Sequence, residues 1–173
     1  MEIAIRAGCA TDIDRIQEIE CAAGEAFRAL GMAAIADDEP PSRGLVSRQI
    51  EAQQLWVACA DDQLAVAYLM ADVLGEMAHI DQVSVHPDVK GHGLGAGLID
   101  HLETWARIKG LSGLSLTTFE HVPWNAPYYA RLGFRVLQNA ELPGVLQEVV
   151  AKEAALGLNR WPRVCMFRPV TQR

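Results

Sequence analysis

The sequence predicts an alternating α/β (α+β) fold, a mixed sheet with helices on both faces. Short apolar runs of strand length recur along the chain, stretches with helical spacing separate them, and glycine or proline punctuates the joints. IAIRA (3–7) alternates like a first strand. Thr11 or Asp12 is placed to cap a helix whose apolar positions Ile13, Ile16, Ile19 and Ala23 share one face. A second helix is expected over 43–53. LWVACA (55–60) and QLAVAYLM (63–70) read as a hairpin turned at Asp61-Asp62, and HIDQVSVH (79–86) as a strand ended by Pro87. Leu94, Leu98, Leu102 and Trp105 or Ala106 mark the next helix, which Gly110 can stop. LSLTTF (114–119) is a strand, NAPYYARLG (125–133) a short helix, FRVL (134–137) a strand, and a helix near 143–156 precedes a last strand, RVCMFRPV (163–170).

The chain has 173 residues, 50% of them hydrophobic, which suits one domain able to bury a core without staples. The expected place is cytoplasmic, because no run is long and apolar enough for a membrane span and the N-terminus lacks a signal-peptide pattern. The four cysteines, Cys9, Cys21, Cys59 and Cys165, form no CxxC pair; scattered buried thiols are expected, with no metal site. A net charge of −7 argues against a nucleic-acid partner and favours cationic or neutral ones. ADDEPPSRG (36–44) is the most loop-like stretch and a candidate flap.

The run HPDVKGHGLGAGL (86–98) sets Gly91, Gly93, Gly95 and Gly97 between a strand and a helix. Such a turn presents unpaired N–H groups at the positive end of a helix dipole and attracts phosphate, with Lys90 and His92 adding charge. Glycine keeps side chains out of the place an anion would take. The alternative is a tight turn with a close helix-to-strand contact. GHGLGA formally matches a dinucleotide loop, but no acid follows at the spacing that the ribose contact needs. A P-loop needs G-K-[ST], which is absent.

V-x-P-x-x-K-G-H-G-L-G-A-G-L resembles motif A of the GNAT superfamily of acyl-CoA N-acyltransferases, with Lys90 where Arg or Gln is usual. YYARLGF (128–134) resembles the family's Y-x-x-x-G-F element. The resemblance spans essentially the whole chain and implies a single GNAT-like N-acetyltransferase domain over 1–173. Its sheet would be mixed and mostly antiparallel, with six to seven strands. It implies acetyl-CoA as acyl donor, with Lys90, Gly91, His92, Gly93, Leu94 and Gly95 holding the pyrophosphate. Val83 and Val85 would contribute main-chain groups where the family splays this strand.

An alkylammonium of pKa near 10.4 gives up its proton at pH 7 for roughly 4.6 kcal/mol, so an N-acetyltransferase needs a base or a water relay. His79, Asp81, Val83 and Val85 share one face by the period of two, and family positions matching His79 and Asp81 often accept the proton. The alternative is an edge histidine paired with a carboxylate. Glu120 is a second candidate base, though a solvated strand-end carboxylate is its blander role. Tyr129 matches the family's general-acid tyrosine, which protonates the leaving thiolate. Its alternative is an aromatic packed beneath the helix, a role that suits Tyr128 better. Many members carry an asparagine at the position of Val122. Asn125 is read as a helix cap, with a coenzyme contact as the alternative.

These readings lead to direct acetyl transfer from acetyl-CoA to a primary amine on a small molecule or peptide, without an acyl-enzyme. The alternatives are a non-catalytic acyl-CoA sensor or interaction module and, through the loose glycine match alone, an NAD-dependent oxidoreductase. Homodimers are common in the family. Trp124 in VPWNAPYY is placed to line an acceptor wall or to pack. Acids at Asp12, Asp14, Glu18, Glu20, Glu25, Asp37, Asp38 and Glu39 would suit a cationic acceptor if they rim its side, or form a solvated face.

Overall fold

The computed structural model describes residues 2–172. Its strands are β1 (Ala4–Ala7), β2 (Leu55–Cys59), β3 (Ala65–Leu74), β4 (Met77–Val85), β5 (Gly113–Phe119), β6 (Arg135–Val136) and β7 (Arg163–Pro169). Its helices are α1 (Ile13–Gly24), α2 (Ala33–Ala36), α3 (Arg43–Glu51), α4 (Leu94–Ile108), α5 (Ala126–Arg131) and α6 (Gly144–Ala155). Seven strands hydrogen-bond in the order β1-β2-β3-β4-β5-β7-β6. β1–β2, β2–β3, β5–β7 and β6–β7 are antiparallel, and β4–β5 is parallel over Met77–Gly113, Ala78–Leu114 and His79–Ser115. The mixed, mostly antiparallel sheet expected from the resemblance is therefore present.

Contacts divide the chain into two compact units, Met1–Ala71 with Asp81–His101, and Asp72–Ile80 with Leu102–Arg173. The chain passes from one to the other inside β3, β4 and α4.

In the first unit, cross-strand partners decide which face each residue takes. Val57 opposes Tyr68, and both join Ile13, Ile16 and Ile19 of α1 and Val46 of α3 in one buried cluster. Ile5 opposes Ala58, which opposes Ala67, so these lie on the other face, and there a Cβ on Gly97 of α4 would stand 3.7 Å from Ile5 Cδ1. Helices thus cover both faces of this unit's strands. The β2–β3 turn differs in detail from expectation: Gln63 takes φ +66° and the Leu64 N–H donates to Asp62 Oδ1 at 3.0 Å, so β3 begins only at Ala65.

Asp12 does not cap α1 with its side chain. Its carboxylate instead receives Arg6 Nη1 at 2.8 Å, Arg6 Nη2 at 2.9 Å and the Cys9 N–H at 2.9 Å. Burial pushes this carboxyl up, but the bonds from Arg6 and Cys9 outweigh it and hold the pKa below the usual carboxylate range. Ser42 does cap α3, accepting from the Leu45 N–H at 3.1 Å. The ADDEPPSRG stretch is tied at several points: the Pro41 carbonyl accepts from Gln17, Arg43 pairs with Asp14, and Arg28 pairs with Asp37.

In the second unit, the β5–β7 register runs from Gly113–Pro169 to Phe119–Arg163. Met77, Leu137, Leu146 of α6 and Cys165 form the buried cluster on one side. On the other side Arg168, opposite Leu114, donates to the Leu132 carbonyl at 3.0 Å and lies over the Phe134 ring. The expectation of buried thiols holds for Cys59 and Cys165 only; Cys9 and Cys21 are exposed, because they stand where the first segment and α1 face water. No helix among the described residues is long and apolar enough to cross a membrane.

Candidate active site

In the first unit, β4 runs into a 3-10 turn at Pro87–Val89, where the His86 ring accepts from the Asp88 N–H at 3.2 Å, and then into the glycine loop. Gly91 and Gly93 take φ +88° and +72°, values that side chains rarely adopt, and open space surrounds the place where each Cβ would be. Lys90, Gly91, His92 and Gly93 are exposed, whereas Leu94 and Gly95 are buried. The Gly97 N–H bonds the Gly93 carbonyl at 3.0 Å, which starts a helix of 15 residues. The amides of Leu94, Gly95 and Ala96 therefore fall in the first turn, where no intrahelical carbonyl precedes them. Leu94, Leu98, Leu102 and Ala106 are buried as the spacing predicts.

A second feature of the same unit is a carboxylate network. Glu20 of α1 receives Tyr68 Oη at 2.6 Å and Ser84 Oγ at 2.6 Å on Oε2, and Gln82 Nε2 at 2.8 Å on Oε1. Gln82 also donates to Ser84 Oγ at 3.1 Å. Tyr68 is fully buried, and burial, with Glu20 beside it, raises its pKa well above 10, so the phenol remains a donor. Asp81 is exposed and accepts from Gln49 of α3 at 3.3 Å. Val83 and Val85 are half-buried.

In the second unit His79 is buried, and its Nδ1 lies 2.9 Å from Ser115 Oγ on the adjacent strand. Burial lowers its pKa from 6.5 to about 4, outweighing the attraction of Asp72, so the imidazole is neutral at pH 7. Tyr129 of α5 is 8% exposed and meets Tyr128 and Phe134 edge-on, and the Phe134 N–H bonds its carbonyl at 3.1 Å. These ring contacts are those of the packed aromatic weighed for Tyr129.

Asn125 stands just before the first residue of α5, but its side chain makes no cap bond, contrary to the capping role expected of it. Its backbone carbonyl accepts from the Tyr129 N–H at 3.0 Å, and its backbone, at φ −111° and ψ −117°, departs from the extended geometry usual for a cap. Among the described residues, its buried Oδ1 has no hydrogen-bond partner. Val122 is buried. Glu120 is exposed, and its carboxylate lies 3.6 Å from His121. A cavity of about 390 Å3 lies beside β7 and α6, where Glu153 accepts from Thr117 at 2.6 Å and pairs with Arg163 at 3.2 Å.

Sequence reasoning placed Glu20 only among a scatter of acids. The available signal was its position: Ile13, Ile16 and Glu20 fall on one helical stripe, so the carboxylate occupies a core-facing place. Ser115 and the Thr117–Glu153–Arg163 group carried no sequence signal, since only the tertiary fold joins them to their partners.

The acetyltransferase (GNAT) family profile matches residues 14–134 of this chain. Over 98 residues the chain is 32% identical to the peptidyl-lysine N-acetyltransferase YjaB of Salmonella typhimurium, a stretch covering 57% of this chain and 61% of that protein. It thus spans less than two thirds of this curated relative. Among solved structures it resembles N-acetylglutamate synthase from Neisseria gonorrhoeae in complex with coenzyme A and N-acetyl-glutamate. The TM-score is 0.72 at 17% identity, covering 99% of this chain and 36% of that one. It also resembles the PaiA N-acetyltransferase from Thermoplasma acidophilum in complex with coenzyme A, with a TM-score of 0.72 at 16% identity over 98% of this chain and 99% of that one. At these identities the likeness shows the fold.

Proposed function

The chain belongs to the acetyltransferase (GNAT) family, and on that premise we propose that it is an acetyl-CoA-dependent N-acetyltransferase acting on a primary amine of a small molecule or peptide. One observation carries the reading. The Lys90–Gly95 loop joins two left-handed glycines, open space at their Cβ positions and the first-turn amides of a long helix. That combination suits a diphosphate, whose oxygens accept from backbone N–H groups and gain from the helix dipole. Lys90 and His92 add side chains of the right chemistry. The orphaned Oδ1 of Asn125 also fits an amide-bearing donor, which could supply the missing N–H.

Acetyl-CoA, when bound, supplies the acetyl group as an activated thioester. The main-chain N–H groups near Val83 and Val85 polarise the acyl oxygen. Asp81, exposed at the head of this stretch, takes the acceptor's proton directly or through water. His79, neutral and bonded to Ser115, is a weak proton acceptor at a pKa of about 4, so its part is to orient a relay. Tyr129 Oη gives its proton to the departing thiolate. Transfer is taken as direct, with no cysteine given a covalent role; the buried thiol of Cys165 in particular is pushed up to about 11, chiefly by burial, which leaves it protonated and a poor nucleophile at neutral pH. We take residues 1–173 to act as one domain, since the chain crosses between its two units inside continuous strands and a helix rather than through linkers.

Thiol release from acetyl-CoA across a panel of amines, with the acetylated product identified by mass, tests this function. Tyr129→Phe should lower kcat well over tenfold while coenzyme affinity stays nearly unchanged. An unchanged rate removes Tyr129 from its role, and coenzyme binding without release for any amine favours the non-catalytic sensor.

A further inference from the structure

The acids of the first two helical segments differ in what holds them. Asp12 pairs with Arg6, Asp14 with Arg43, Glu18 with Arg15, and Glu25 and Asp37 with Arg28. Asp38 and Glu39 are exposed, and water solvates them. Glu20 is different. It is half-buried, and among the described residues no cation pairs with it. Its charge is held by neutral donors alone: the Tyr68 phenol, the Ser84 hydroxyl and the Gln82 amide.

A carboxylate taken partly out of water without a counter-ion is costly, and proteins ordinarily place a cation beside it. The donors here fix its position without neutralising it. Oε2 receives two hydroxyls, which fills both of its lone-pair sites, whereas Oε1 receives one amide hydrogen and keeps a second site. The donors are themselves constrained. Tyr68 is fully buried and Ser84 is 7% exposed, and Gln82 spends its second amide hydrogen on Ser84. Gln82 and Ser84 alternate along β4, the strand that also carries Asp81 and the main-chain groups assigned to the acyl oxygen. A fixed, uncompensated negative charge with one open acceptor site thus stands on α1 against Gln82 and Ser84 of that strand.

We infer that Glu20 is the seat for the acceptor's ammonium group and selects amines that are cationic in solution. The inference rests on the transferase reading and assigns one residue within it. Glu20 binds the charged form, and proton loss to water follows before attack. Tyr68, Gln82 and Ser84 are positioning residues that hold the carboxylate.

The test compares two acceptors of similar size, a primary alkylamine that is cationic at assay pH and a primary arylamine that is neutral. Glu20→Gln keeps an oxygen to accept from Tyr68 and Ser84 and removes the charge; its new NH2 replaces the oxygen that accepted from Gln82, whose amide must turn to offer its own oxygen. KM for the alkylamine should rise about ten- to hundredfold, the range for losing a charge-assisted hydrogen bond, with KM for the arylamine and affinity for coenzyme A changing less than twofold. Glu20→Asp keeps the charge but withdraws it by one methylene, and should give a smaller rise with the same selectivity. It serves as the second variant should the first not fold. Equal KM for the alkylamine in wild type and variants overturns the seat and leaves the transferase standing. An equal rise for both amines also overturns it, since that pattern marks a structural role. No thiol release from the wild type with any amine overturns the transferase reading and the seat together.

Discussion

Acidification should cost this protein stability through one imidazole. His79 is 4% exposed, and burial depresses its pKa from 6.5 to about 4. Between those values the unfolded chain binds a proton that the folded chain refuses, so stability rises with pH across that window. The contribution is fully present above pH 6.5 and is lost as the pH falls toward 4. At about 1.4 kcal/mol per unit, the depression amounts to roughly 3 kcal/mol, a large share of a typical domain's stability. Carboxylates also titrate in this range, so the effect must be isolated. His79→Gln retains a hydrogen-bonding partner for Ser115 and does not titrate. Urea unfolding of both proteins at neutral pH and near pH 4.5 gives two losses of stability. The wild-type loss should exceed the variant's by about 2 to 3 kcal/mol. Equal losses would show that the imidazole is not held neutral by burial, and the account of His79 as a weak proton acceptor would go with it.

Gly93→Ala forces an L side chain into φ +72°, at a strain of about 1–2 kcal/mol. Calorimetric titration should then show coenzyme A binding at least about tenfold weaker, because the loop must relax away from its cradle. Unchanged affinity would place the diphosphate elsewhere. Gly113→Ala would drive a Cβ into the Phe167 ring across the β5–β7 pairing. It should lower stability by about 1–3 kcal/mol in denaturant unfolding, with part of the loss recovered when Phe167→Leu is added. No recovery in the double variant would contradict that contact.

The legible parts of this fold were those fixed by period and punctuation. Ile13, Ile16 and Ile19 announced α1, Leu94, Leu98 and Leu102 announced α4, and the left-handed glycines marked the loop between β4 and α4. Strand ends were harder to place. β3 runs on to Leu74 through Ala71 and Asp72, where the apolar run breaks, because ladder hydrogen bonds come from the backbone and tolerate a polar side chain. Its start moved the other way, since Gln63 and Leu64 were taken into the turn.

Side-chain partnerships were the least legible. Asp12 looked like a cap and became the partner of Arg6, because an arginine on β1 offers a stronger bond than an orphan helix N–H. Asn125 sat at a helix start with the right chemistry, yet its backbone angles depart from the extended geometry usual for a cap and its side chain makes no cap bond. Periodicity set His79 and Asp81 on one face; it could not show that His79 would meet Ser115 and Asp81 would meet Gln49. Glu20 reads as one surface acid among many until β3 and β4 bring Tyr68, Gln82 and Ser84 to it from far along the chain.

The central claim is that backbone amides at the mouth of α4 grip the diphosphate of the acyl donor. Amide-resolved NMR during titration with coenzyme A tests it most directly. The N–H resonances of Gly91, His92, Gly93, Leu94 and Gly95 should shift together and saturate at one common affinity. Binding that saturates while those resonances stay in place would contradict the account.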